Sequence, residues 1–160
     1  MNKIFFCLIS IIIFFSCERD DICIVSVTES SDLIILMLDQ NNVNNRKIPA
    51  GFSIRALGTQ NILQGIVNDS LSLPLKIQEN NVQLEFILNL GLDNENIDTL
   101  QINYQRFDDF INAACGYRSN YILETIPAII LNPGDNWIKG FTILKDTISD
   151  ENHAHLGILH

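Results

Sequence analysis

The chain has 160 residues, 47% of them hydrophobic, with 10 Lys+Arg against 19 Asp+Glu and a formal net charge of −9. That length suits one domain of ordinary size. The acidic balance argues against nucleic-acid binding, which rewards basic patches, and against lying flat on anionic lipid.

Residues 1–16, MNKIFFCLISIIIFFS, set one cation, Lys3, before an apolar run from Ile4 to Phe15. This is the pattern of a secretion signal. The run falls short of the roughly 20 apolar residues that a transmembrane helix needs. Phe14-Phe15-Ser16-Cys17 then has the form of a bacterial lipobox, with a small residue before the cysteine. The thiol of Cys17 is the atom a diacylglyceryl group alkylates, and cleavage frees its amine for a further acyl chain such as palmitate. The strictest lipoboxes carry Leu at −3 and a small residue at −2; the two phenylalanines resemble the relaxed form common in Bacteroidota. Two or more chains on Cys17 give a stable anchor where one is marginal. Cleavage also removes Lys3, which leaves 9 cations against 19 acids and a net charge of −10.

Residues 17–22 then form the anchor and a short tether, and residues 18–22 reach at most about 17–18 Å when extended. Glu18, Asp20 and Asp21 place acid directly behind the lipid, a pattern that resembles a signal for display on the cell surface. Arg19 interrupts it, and the bland reading is a solvated tether. The periplasmic face of the outer membrane is the location we expect, slightly ahead of the cell surface. Cys7 leaves with the signal and Cys17 is taken by lipid. Cys23 and Cys115 therefore remain to pair in an oxidising compartment. Two buried free thiols are the alternative.

From residue 23 to 160 short apolar or alternating runs are broken by turn residues, as in an all-β sandwich or barrel. ICIVSV (22–27) opens the series, and LIILML (33–38) reads as a central strand. QNNVNNRK (40–47) reads as a polar loop, and FSIRAL (52–57) as the next strand. In DSLSLPLKI (69–77), Leu71, Leu73, Leu75 and Ile77 face one way, and Pro74 marks an edge strand or a strand end. VQLEFIL (82–88) turns Val82, Leu84, Phe86 and Leu88 inward, and TLQINYQ (99–105) does the same with Leu100, Ile102 and Tyr104. The two make the strongest hairpin in the chain.

FDDFINAACGY (107–117) is ambiguous. Phe107, Phe110, Ile111 and Ala114 have helical spacing, while Ile111, Ala113, Cys115 and Tyr117 share a face at period two. We favour a strand running through Cys115, with a short helix before it as the alternative. LNPGDN (131–136) carries the Pro-Gly of a type II turn. IKGFTIL (138–144) and AHLGIL (154–159) make a late pair.

Several of these stretches together, SCERDDIC, DSLSLPL, ACGY, DNWIK and HAHLGI, resemble an uncharacterised family of Bacteroidota lipoproteins known only as a domain of unknown function. The resemblance covers the whole mature chain. It implies a lipoprotein with the same two body cysteines, and no activity, ligand or catalytic residue.

Candidate chemistry is sparse. On a strand, His153 and His155 would point to one side about 6.5–7 Å apart and could hold two legs of a metal site. No third ligand is evident unless Asp150 or Glu151 folds back. We favour the polar outer face of an edge strand, with no metal and no cofactor. Trp137, in DNW, could stack on a sugar, but a Trp just after a turn is more often a packing residue. The Asp pairs at 20–21 and 108–109 are adjacent and on a strand point apart, so neither is a glycosidase dyad. The nucleophile-elbow, zinc-protease, phosphate-loop and paired-cysteine motifs are all missing from the sequence.

We therefore expect one immunoglobulin-like antiparallel β-sandwich of roughly seven to nine strands, or else a small β-barrel. The expected function is a non-catalytic, lipid-anchored envelope protein that binds or scaffolds an envelope protein or a glycan. A small-ligand module for glycan or metal is the alternative, and an envelope hydrolase the third reading.

Overall fold

The computed structural model describes residues 23, 29–65, 69–132 and 134–160. The expected signal, the lipobox with Cys17, the tether and the first expected strand apart from Cys23 lie outside these residues, as does Pro133 of the 131–136 turn. Among the described residues there is no helix. The strands are β1 (Leu33–Asp39), β2 (Asn42–Arg46), β3 (Ser53–Ala56), β4 (Ile62–Gly65), β5 (Ser70–Leu73) and β6 (Asn81–Leu88). They continue with β7 (Asn96–Asn112), β8 (Gly116–Ile130), β9 (Gly140–Ile143), β10 (Thr147–Ile148) and β11 (Leu156–Leu159).

These strands build an all-β sandwich of two sheets, with no closed barrel. The first runs β2-β1-β11-β9, with β5 also pairing β1, and the second runs β10-β8-β7-β6-β3-β4. The core lies between them because period-two alternation sends one face of each strand inward. Leu33, Ile35, Met37, Leu71, Leu156 and Ile158 enter from the first sheet. Ile54, Leu84, Phe86, Leu100, Ile102 and Tyr104 enter from the second. Tyr104 and Tyr121 meet edge to face at 5.4 Å in this core, and their hydroxyls reach the connection after β5. Tyr104 accepts from the Lys76 amide at 3.0 Å, and Tyr121 donates to the Leu75 carbonyl at 3.4 Å.

The expected β6–β7 hairpin forms, with Leu84 opposite Leu100 and Val82 opposite Ile102. The late pair also forms, as β9 against β11. β5 ends at Leu73, immediately before Pro74. Four expectations are corrected. QNNVNNRK contains β2 rather than only a loop. Its side chains are all exposed, so no apolar alternation betrays it. Ile77 is 51% exposed instead of inward, because the strand has ended and the chain follows the Tyr104 hydroxyl. The 107–117 stretch is strand only to Asn112; residues 113–115 turn, and Gly116, at φ +71°, opens β8. The sheets are not wholly antiparallel, since β1 and β11 pair in parallel, Ile35 with Leu156 through Leu38 with Leu159.

Candidate functional site

The C-terminal histidines do not converge. β11 begins only at Leu156, so neither His153 nor His155 lies on a strand. His155 is fully buried. Its Nδ1 accepts from the Ile34 amide at 3.0 Å, and its own amide donates to the Ile34 carbonyl at 2.8 Å. Burial holds its pKa below the ordinary histidine value. His153 is exposed, and its Nδ1 donates to Asp150 Oδ1 at 2.8 Å. Lys145, and after it His153, hold the Asp150 carboxyl well below the usual carboxylate range. Neither the paired metal legs nor the outward polar face survives, because the Ile34 backbone captures one histidine. Among the described residues no three His, Cys, Asp or Glu side chains come together to hold a metal ion.

Trp137 is a packing residue. It is buried, its indole N–H donates to the Phe86 carbonyl at 3.1 Å, and its ring meets Phe52 edge to face at 5.6 Å and His160 at 5.5 Å. The neighbouring corner hangs on Asp98, which is fully buried on β7. Its carboxylate accepts from the Ile138 amide at 2.7 Å and from the Asn136 side-chain amide at 2.8 Å. Asp98 faces Phe86 across the β6–β7 pair. One cross-strand pair thus holds both the indole and the backbone beside it. Asp98 continues the period-two inward face of Leu100, Ile102 and Tyr104, a signal that could have found it, but its partners lie 38 to 40 residues further on.

Cys23 and Cys115 form a disulfide with 5.1 Å between their Cα atoms and 92 positions between them in sequence. It ties the start of the body to the tip of the β7–β8 hairpin. On that tip Phe110 and Tyr117 are register partners and meet edge to face at 5.3 Å.

A groove opens along one side of the sandwich. β5 is an edge of the first sheet, while the second sheet continues past β6 through β3 to β4. Between them lies a cleft of about 310 Å³, walled by Ile54, Leu63, Leu71, Leu73, Val82 and Leu84. Leu63 on β4 is 55% exposed, and Leu57 and Ile62 beside it are exposed as well. The rest of the wall belongs to the core and is buried, so Leu63 is the large apolar wall residue that stands open to solvent. Ser72 and Lys76 are the polar residues at its edge. Among the described residues lining it there is no aromatic ring and no carboxylate. Its size is at the lower end for a small-molecule pocket, and its lining suits alkyl groups rather than sugar.

Residues 51–160 match the model of DUF6452, a family of unknown function. The chain belongs to the DUF6452 family. No curated protein and no solved structure matches it. The DUF6452 segment holds every residue named above as a wall of the groove, as well as Asp98, Trp137 and His155. It omits β1, although β1 lies between β11 and the β5 and β2 edge and supplies Leu33, Ile35 and Met37 to the core. The folding unit is therefore larger than the segment that carries the family signal. Of the two disulfide cysteines, the segment contains Cys115 and not Cys23.

Proposed function

We propose that this chain is a non-catalytic binding lipoprotein of the bacterial envelope, anchored in the outer membrane through Cys17. The periplasmic face is the slightly favoured side. In this reading the groove beside β5 receives an apolar segment of a partner protein. The observation that carries it is the apolar lining, entered past exposed Leu63 on β4, the last strand of the second sheet among the described residues. Edge strands bind extended segments through their free backbone groups, with alternate side chains seated in adjacent pockets. A glycan would call for rings and polar partners, and the wall offers alkyl side chains instead. The lipobox and the Bacteroidota resemblance support the anchor and its cell type.

Photo-crosslinking from position 63 in intact cells tests the reading. A discrete protein adduct is expected, absent when the crosslinker replaces exposed Val43 on β2 and lost when Leu73→Asp adds a charge to the groove wall. A circular dichroism spectrum of that variant checks that it folds. A folded variant that retains the adduct, or equal labelling from both positions, would overturn the groove as the binding site.

A further inference from the structure

The tip of the β7–β8 hairpin carries the only exposed phenylalanine and tyrosine side chains among the described residues. Residues 110–117, FINAACGY, contain no charged side chain, a property shared with the longer stretches 56–68 and 125–134. Phe110 and Tyr117 are 61% and 67% exposed and lie against one another at 5.3 Å. The last residues of the hairpin to meet the core are Tyr104 on β7 and Asn120 on β8, the latter opposite Phe107. Beyond Phe107 the hairpin runs five more residues to Asn112, or roughly 16 Å at strand rise. Its nearest charges lie behind the tip and balance. Arg106 pairs with Asp108 at 3.0 Å, and Arg118 stands opposite Asp109 in register. Two exposed rings on a long neutral projection gain nothing from the core.

The tip is also fixed in place. Cys115, in the turn between the two rings, is bonded to Cys23. Cys23 lies six residues after Cys17, and six extended steps span at most about 20 Å. Tyr117 is two residues beyond Cys115.

We propose that Phe110 and Tyr117 form an aromatic foot that sits in the lipid headgroup region beside the acyl anchor. The proposal rests on the lipidation of Cys17 proposed above. The occupant is the bilayer interface because the covalent path from the rings to the lipid is short and passes through a disulfide, so the tip stays near the membrane whichever way the body turns. Amphipathic aromatic rings such as tyrosine and tryptophan favour the headgroup level, where the apolar ring face and the polar group are both satisfied. A neutral tip avoids the repulsion that a domain of net charge −10 meets at an anionic surface. Anchor and foot together make two points of attachment, which restrict the orientation of the sandwich and keep the groove at a set attitude to the membrane.

The test uses the full lipidated chain reconstituted into phosphatidylethanolamine–phosphatidylglycerol vesicles with brominated acyl chains. Trp137 is the sole tryptophan and is buried, so it supplies an unquenched background. In Tyr117→Trp the introduced indole is expected to lose most of its fluorescence, and in Val43→Trp, on the other sheet, to lose none. Vesicle sedimentation and the mass of the N-terminal peptide are read on the same samples. A chain that sediments with its acyl mass intact but shows no quenching at position 117 overturns the foot and leaves the anchor standing. If position 117 is shielded from lipid by a crosslinkable second copy, the foot is likewise overturned. A chain with no acyl mass and no sedimentation overturns both.

Discussion

The Ile34 amide donates to His155 Nδ1 at 3.0 Å while the Ile34 carbonyl accepts from the His155 amide at 2.8 Å, so one backbone unit grips both the ring and the main chain of a residue 121 positions away. An amide N–H can only donate, so Nδ1 must be bare and the neutral ring carries its proton on Nε2. Protonating the ring ends this hydrogen bond and places a charge inside the sandwich.

Acid should therefore weaken the fold through His155. Its pKa is lowered, chiefly by burial, and that of His160 is lowered for the same main reason. In the unfolded chain both rings take up protons near about pH 6.5, while the folded chain resists until lower pH. Below that value the unfolded state holds the more protons, so stability falls as pH falls and is complete above it. Urea midpoints should be level between about pH 7 and 8 and decline from about pH 6.5 downward. Asp150, whose pKa is also depressed, adds a further loss as pH falls through the carboxylate range. His155→Asn keeps an acceptor near Ile34 and removes the titration, so its midpoints should vary less with pH. A wild-type midpoint unchanged between about pH 7 and 5 would count against this account.

The Asp98 corner makes a second prediction. Asp98→Ala leaves the Ile138 amide and the Asn136 side chain without their acceptor inside the protein. The expected cost is about 2–3 kcal/mol, and Asp98→Asn, which keeps one acceptor oxygen, should cost less. Trp137 reports on the same corner and is the sole tryptophan, so its emission follows the unfolding directly. An Asp98→Ala chain as stable as the parent would show that the buried carboxylate is not what holds the corner.

Much of this architecture was legible in the residues, and the parts that were not have physical reasons. Leu100, Ile102 and Tyr104 alternate with polar neighbours, and all three are fully buried. Pro74 stops β5 because it has no amide to give a ladder. By contrast, β2 carries no inward face, so NVNNR looks like a loop although it pairs with β1. The parallel β1–β11 pair joins distant parts of the chain, and local pattern says nothing about such contacts. His155 resembles a polar surface residue until Ile34 is brought to it. The groove arises from the second sheet continuing where the first has ended, a property of two sheets and of no single segment. A strand running through Cys115, as the period-two pattern suggests, hides the turn at residues 113–115 that brings the exposed rings of Phe110 and Tyr117 together.

The disulfide should dominate the stability of the oxidised chain. Closing a loop of 92 residues is worth about 4–5 kcal/mol in the chain-entropy model. The paired variant Cys23→Ala with Cys115→Ala should lose an amount of that order in urea unfolding and still show a β spectrum, since the core between the sheets is intact. Mature chain unfolded without reductant should take up no thiol reagent. Uptake at two positions would mean that the pair is not formed in the envelope.

The anchor and the side it faces can be separated in one set of variants. Cys17→Ser removes the thiol that the lipid needs, so the chain should lose its membrane attachment or remain unprocessed. An unmodified mature N-terminus other than Cys17, found by mass spectrometry, would rule out lipidation outright. Location is read by adding protease to intact cells. If the domain faces the periplasm, it should be cut only after lysis, and replacing Glu18, Asp20 and Asp21 by Ala should change nothing. If those acids direct display, the wild type should be cut on intact cells and the triple variant protected. Arg19 lies within the acidic run and gives these residues a mixed charge. A mixed tether stays solvated on either side of the membrane, which is why protection of both wild type and variant in intact cells is the expected result.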